Sequence, residues 1–123
     1  MTEKAHPFRV AAVQIVSGGD VDANLEQAEP LVAASAAEGA RLVVLPEYFG
    51  ILGAHAADKL AVRERAGEGK QQAWLSRLAR EHAIWLVGGT VPLACDDPSR
   101  VRSACLVYAP DGALIAQIGR AHV

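Results

Sequence analysis

Cysteine is scarce in this sequence, with two residues in 123. Two thiols cannot build a disulfide framework, and alone they cannot supply the four ligands of a structural zinc site. Nothing calls for an oxidising compartment, so the expected setting is the reducing cytoplasm. The aromatic content is 5%, and Trp74 and Trp85 are read as core or interface anchors. No apolar run approaches the roughly 18 residues of a membrane span. The start, Met1 to Arg9, has no apolar signal core. A large charge of one sign is missing too, since the formal net charge is −2. That leaves no electrostatic footprint for nucleic acid or an anionic membrane, and neither is expected as a partner.

Familiar ligand motifs are also absent. No G-x-G-x-x-G follows the first strand, and no G-x-S-x-G occurs. Gly67-Glu68-Gly69-Lys70 falls short of a phosphate loop, because Glu64 stands where glycine is needed and Gln71 where serine or threonine is needed. His55 and His82 lack metal-ligand spacing and are read as loop and helix-end residues.

The composition that remains is globular, 51% hydrophobic and 21% charged, in a length that suits one small domain. Residues 1–7 read as a polar leader. Phe8 to Ile15 reads as a strand, broken by Ser17-Gly18-Gly19-Asp20. Val21, Leu25, Ala28, Val32 and Ala36 then recur at helical spacing, with Asp20 or Asp22 as N-cap and Gly39 as the stop. Pro30 lies beside Glu29 on the polar side of that pattern, which places a kink towards solvent rather than a break. Ala40 to Leu45 is a continuous apolar run, the pattern of a strand buried on both faces, and Pro46 ends it. A short helix is expected around Asp58 to Glu64 and a clearer one from Gln71 to His82. Ile84 to Val91 is the third strand, and Gly88 and Gly89 imply a bulge or a close backbone approach. The turn Asp96-Asp97-Pro98-Ser99 leads to a strand from Val101 to Ala109; Pro110-Asp111-Gly112 turns it back into a fifth, Ala113 to Ile118.

This order, β-α-β-(loop)-α-β-β-β, argues for an α/β sheet closed by an antiparallel hairpin. Two good helices can cover one face of five apolar strands, not both. A partner layer is therefore expected, from further sequence or from another subunit. Glu47 is the most informative position: it follows a buried strand directly, in Leu42-Val43-Val44-Leu45-Pro46-Glu47-Tyr48-Phe49. Ligand sites in α/β sheets gather beyond the carboxyl ends of strands. A carboxylate flanked there by proline and two aromatics is expected to be partly desolvated, which raises its pKa towards that of a general base. The plainer alternative is an ordinary loop acid. Tyr48 either lines a substrate pocket beside Glu47 or simply packs.

Leu-Pro-Glu-Tyr-Phe after an apolar strand, about thirty residues beyond Ala12-Val13-Gln14-Ile15, resembles the nitrilase superfamily of carbon–nitrogen hydrolases. Its companions fall in the family's order: Asn24-Leu25 opens the first helix, Gly39-Ala40-Arg41-Leu42-Val43-Val44 runs into the key strand, and Trp85-Leu86-Val87-Gly88-Gly89-Thr90 forms the third. Val101-Arg102-Ser103 to Tyr108-Ala109-Pro110-Asp111-Gly112 matches the next hairpin, so the likeness runs from Phe8 to Ile115. The Tyr48-Phe49-Gly50 and Gly88-to-Pro92 segments resemble the ω-amidase and deaminated-glutathione-amidase branch.

The resemblance implies part of a four-layer α-β-β-α sandwich and hydrolysis of a small non-peptide amide to an acid plus ammonia. It implies a Glu-Lys-Cys triad with Glu47 as the catalytic base, no metal or organic cofactor, a small-molecule amide substrate and a homo-oligomer when full length. Glutamate takes the thiol proton, the thiolate attacks the carbon, and lysine stabilises the charged intermediate. The other two triad members depart from the pattern. Arg120 and His122 fall where the family has a Lys-x-His segment, and arginine's larger planar fork does not replace lysine. Cys95 reads as a loop thiol and Cys105 as a small buried apolar residue, neither in the context of the family nucleophile. The chain as written is therefore expected to be inactive. Ile118 to Val123 is what a common sequencing-adapter string encodes in one frame. Residues 8–117 are accordingly read as the N-terminal part of a hydrolase domain, and residues 118–123 as an artefactual tail. The competing expectation is a non-catalytic α/β interaction module that binds a partner through its uncovered sheet face. The downstream reading frame separates the two.

Overall fold

A computed structural model describes residues 7–122, with the backbone alone for 120–122. The polar leader therefore lies outside the described residues except for Pro7, as do the side chains of Arg120 and His122. The elements are β1 (Val10–Ala12), α1 (Val21–Ala37), β2 (Leu42–Leu45), α2 (Ala56–Ala61), α3 (Lys70–His82), β3 (Trp85–Ala94), β4 (Val101–Tyr108) and β5 (Leu114–His122). They follow the order read from the sequence. All five strands join one sheet in the order β1-β2-β3-β4-β5. The first three run parallel and the last two pairings are antiparallel, giving the expected α/β fold with a terminal hairpin.

Local chemistry fixes the helix ends. Asp20, extended at φ −116°, accepts the Ala23 N–H at its side chain and caps α1. Gly39 takes φ +93° just past the last turn, where the N–H groups of Gly39 and Ala40 bond back to Ala36 and Ser35. Pro30 is exposed and the helix runs through it. At α3, Gly69 supplies φ +120° but no side chain to cap with. Glu64 from the preceding loop does so instead, accepting the N–H groups of Gln71 (2.7 Å) and Gln72 (3.2 Å).

Both long helices lie on one face of the sheet. Leu25, Ala28 and Val32 of α1 and Leu75, Leu78 and Ala79 of α3 bury against Val43, Leu45, Leu86, Ala104 and Leu106. Trp74 stacks on Phe49 with ring centroids 5.8 Å apart. It also donates its indole N–H to Glu29, which accepts Arg77 at 2.6 Å as well, so one carboxylate clamps α1 to α3.

Five expectations need correction. The first strand is shorter than Phe8 to Ile15, because Val16 turns its N–H to the Gln27 side chain and leaves the ladder. The second strand is not buried on both faces: Val43 and Leu45 are buried, while Leu42 and Val44 are half-exposed, since no layer of the described residues lies opposite the helices. The short helix starts two residues before Asp58, where the Asp58 carboxylate accepts the His55 N–H. The third strand runs on to Ala94, because the ladder with β4 continues through Pro92↔Ser103, Leu93↔Arg102 and Ala94↔Val101, with Glu64 bridging its other edge. The fifth strand likewise continues through residues 118–122, set apart above as a tail; backbone pairing asks little of side-chain identity.

The uncovered face carries Val10, Leu42, Val44, Trp85, Val87, Cys105, Val107 and Ile118 in cross-strand rows. Each such side chain gains about 1.5–3 kcal/mol on full burial, against a net domain stability of ~5–15 kcal/mol. The isolated 123-residue chain is expected to self-associate and bind a hydrophobic dye; light scattering on the purified chain checks this, and a sharp monomeric melt contradicts it. The Glu29 clamp yields a second expectation. The Arg77 hydrogen bond holds the Glu29 carboxyl below its ordinary 4.5. A depressed acid stabilises above its unfolded pKa and loses that contribution as pH falls through the folded one. In the full-length protein, Glu29→Gln is expected to lower stability by about 0.2–1 kcal/mol at pH 7, this partly exposed pair being screened. The difference fades as the pH drops below 4.5, read from urea midpoints.

Candidate active site

A parallel sheet brings the carboxyl ends of its strands to one edge, and there the segment after β2 sits. Leu45 is the last paired residue of β2, in register with Gly88. Pro46 offers no N–H and fixes its own φ, so the ladder stops. Tyr48 then takes φ 56°, a left-handed conformation that costs a non-glycine residue roughly 1–2 kcal/mol. The surroundings hold it there. Phe49 is fully buried against Trp74. Ser17 donates its hydroxyl to the Phe49 carbonyl at 2.7 Å. Buried Asn24 donates to the carbonyls of Gly18 and Gly50 and accepts the Gly18 N–H, all at 2.9 Å, tying the loop after β1 to the loop after β2. The Gln71 side chain lies directly under Gly50, leaving no room for a Cβ there.

Tyr48 is held on three sides. Its N–H donates to Thr90 Oγ1 at 3.3 Å. Its hydroxyl pairs with Ser103 Oγ at 3.4 Å. Lys59 Nζ stands 3.7 Å from its ring centroid, a cation–π contact. The Ser103 hydrogen bond draws the Tyr48 hydroxyl below its ordinary pKa; burial opposes this and Lys59 adds to it.

Glu47 lies beside this cluster but departs from expectation. It is exposed and forms no hydrogen bond or ion pair among the described residues. The partial desolvation expected of it fails because neither aromatic covers it: Phe49 turns into the core and Tyr48 turns to Ser103 and Lys59. Clefts of about 630 and 580 Å³ line the helix side instead, and neither includes Glu47. Thr90 and Ser103 fall within segments that carry the resemblance, but nothing in the sequence pairs them, or Lys59, with Tyr48; Thr90 and Ser103 lie 42 and 55 residues away from it.

The thiols stand apart. Cys95 Sγ faces the carbonyls of Asp97 and Arg100 at 3.5 and 3.4 Å, a loop thiol as read. Cys105 is half-buried on the uncovered face beside Gly89 rather than buried, for want of a facing layer; what burial it has pushes its thiol up. His55 caps α2 and His82 ends α3. Among the described residues no group of three or more His, Cys, Asp or Glu is placed to hold a metal ion, and no helix is long and apolar enough to cross a membrane.

Comparison with known proteins gives a consistent set of likenesses. The family model described as Carbon-nitrogen hydrolase matches residues 9–122. Omega-amidase NIT2 of Danio rerio is 37% identical over 117 residues, covering 94% of this chain and 40% of the relative. Omega-amidase NIT2 of Homo sapiens is 32% identical over 117 residues, covering 94% and 41%. The crystal structure of Saccharomyces cerevisiae Nit3, described as a member of branch 10 of the nitrilase superfamily, aligns with a TM-score of 0.79 at 27% identity, covering 92% of this chain and 44% of that one. The chain thus spans about 40% of the length of the curated relatives it matches.

The left-handed turn gives its own expectation. Glycine and asparagine accept φ near +56° far better than a β-branched residue does. In the full-length protein, Tyr48→Val is expected to be less stable than Tyr48→Asn by about 1–2 kcal/mol, measured by urea unfolding. Equal midpoints would contradict the turn.

Proposed function

The chain belongs to the carbon-nitrogen hydrolase family, and from that premise we propose that the protein it forms part of hydrolyses small amides, with Glu47 as the general base. The observation that carries the reading is the placement of Glu47. It stands at the carboxyl end of a parallel strand, between a proline that ends the ladder and a tyrosine held left-handed by contacts from three other segments. A loop acid of no consequence needs no such support. The similarity to omega-amidases favours an amide over a nitrile as substrate.

The chemistry follows from the resemblance together with the residue present. Glu47 accepts the proton of a cysteine thiol, the thiolate attacks the amide carbon, and the C–N bond breaks as Glu47 passes that proton to the departing nitrogen, so that ammonia leaves and an acyl-enzyme forms. Water then releases the acid. The lysine and cysteine of this scheme are not supplied by residues 8–117, so the chain by itself is expected to show no turnover. A small-molecule substrate and a homo-oligomeric assembly belong to the same proposal, as does a layer over the open sheet face that would dehydrate Glu47.

Recovery of the full-length gene allows the direct test. Glu47→Gln keeps size and shape but removes the base. General-base catalysis is worth typically 10²–10⁴-fold, and kcat for ammonia release from a small amide is expected to fall by about that factor, with KM changing little. Undiminished turnover in the variant would remove Glu47 from the mechanism.

A further inference from the structure

We propose that Thr90 is a positioning residue for Glu47, acting through the backbone of Tyr48. The inference rests on the reading of Glu47 as the general base. Glu47 has no side-chain partner among the described residues, so its direction is set by the backbone on either side. On one side, Pro46 has its φ locked by the pyrrolidine ring. On the other, Tyr48 stands at φ 56°, which a tyrosine leaves readily unless held. Relaxation of Tyr48 to an ordinary φ would rotate the chain about Glu47 and re-aim its carboxylate.

The hold on the Tyr48 backbone comes from the neighbouring strand. The β2–β3 ladder ends at Leu45 and Gly88. On the other side of β3, the register with β4 slips between Gly89 and Val91, which leaves Thr90 as the extra, unpaired residue of a bulge. A bulge breaks the regular alternation of side chains and re-aims the one it carries. Thr90 Oγ1 accordingly accepts the Tyr48 N–H at 3.3 Å, doing with a side chain what the ladder can no longer do. The contacts of the tyrosine side chain, to Ser103 and Lys59, do not engage that N–H. Glycine at position 89 suits this arrangement, since a Cβ there would meet Cys105 Sγ at 3.2 Å.

The test uses the full-length protein and butanamide, with ammonia release as the readout. Thr90→Val keeps the shape and removes the acceptor; Thr90→Ser keeps the acceptor and removes the methyl group. Small misplacements of a catalytic group can cost on the order of 10²-fold. We expect Thr90→Val to lower kcat at least about tenfold with KM within about twofold, and Thr90→Ser to stay within about threefold of wild type. In a Glu47→Gln background, Thr90→Val should cause no further loss, because residues acting as one unit are not additive. Thr90→Ala replaces the valine variant in every comparison if the latter does not fold. A normal kcat in Thr90→Val, a serine variant as poor as the valine variant, or multiplying losses in the double variant would overturn the inference while Glu47→Gln stays impaired. Full turnover in Glu47→Gln would overturn the general-base reading, and this inference with it.

Discussion

A β-strand points successive side chains to opposite faces, and among the described residues only one face of the sheet has a cover. Most of the structure follows from that imbalance. On the covered side the apolar residues of α1 and α3 meet Val43, Leu45, Leu86 and Leu106, and the clamp at Glu29 keeps the helices together. On the other side the strand registers line up Val10, Leu42 and Trp85 in one row and Ala12, Val44, Val87, Val107 and Ala116 in the next. Rows of this kind are what a second layer packs against. They are apolar like the covered rows, although among the described residues they meet no partner.

Topology then gathers the candidate site. Parallel pairing puts the carboxyl ends of β2 and the bulged half of β3 at one edge, and antiparallel pairing brings the start of β4 to the same edge. Glu47 and Tyr48 follow β2, Thr90 lies on β3, Ser103 on β4 and Lys59 on α2. Asn24 and Glu64 fix the loops around them, the first by three hydrogen bonds to glycine backbone, the second by capping α3. The site is thus built by several segments, each of which also serves the core.

How much of this the sequence discloses depends on how local the cause is. The spacing of Val21, Leu25, Ala28 and Val32 specifies α1, and Pro46 after an apolar run marks the strand end that makes Glu47 stand out. The glycine pair before Thr90 announces the bulge. Contacts across the fold stay hidden. Thr90 and Ser103 lie 42 and 55 residues from Tyr48, and nothing in their neighbourhoods points to it. The two aromatics beside Glu47 suggest burial, but each has a better partner elsewhere, Phe49 in Trp74 and Tyr48 in Ser103, and the acid stays exposed. The failed phosphate loop is instructive in the other direction. Glu64 and Gln71, the residues that spoil that motif, are the ones that meet in the structure, a carboxylate taking the helix-terminal amides that an anion would otherwise find.

The open face and the solvated acid are two views of one condition. A carboxylate in water is a weak base, and removal of water raises its affinity for a proton. A general base that works near neutral pH needs that gain. Among the described residues Glu47 stays exposed, since the aromatics beside it are engaged elsewhere and the clefts lie on the helix side. Among the described residues, the rows of Leu42, Val44, Trp85 and Val87 lie open along the face of the sheet, and Glu47 lies open at its carboxyl edge. On the reading proposed for Glu47, a layer that closed over both would take the apolar side chains and the carboxylate out of water together.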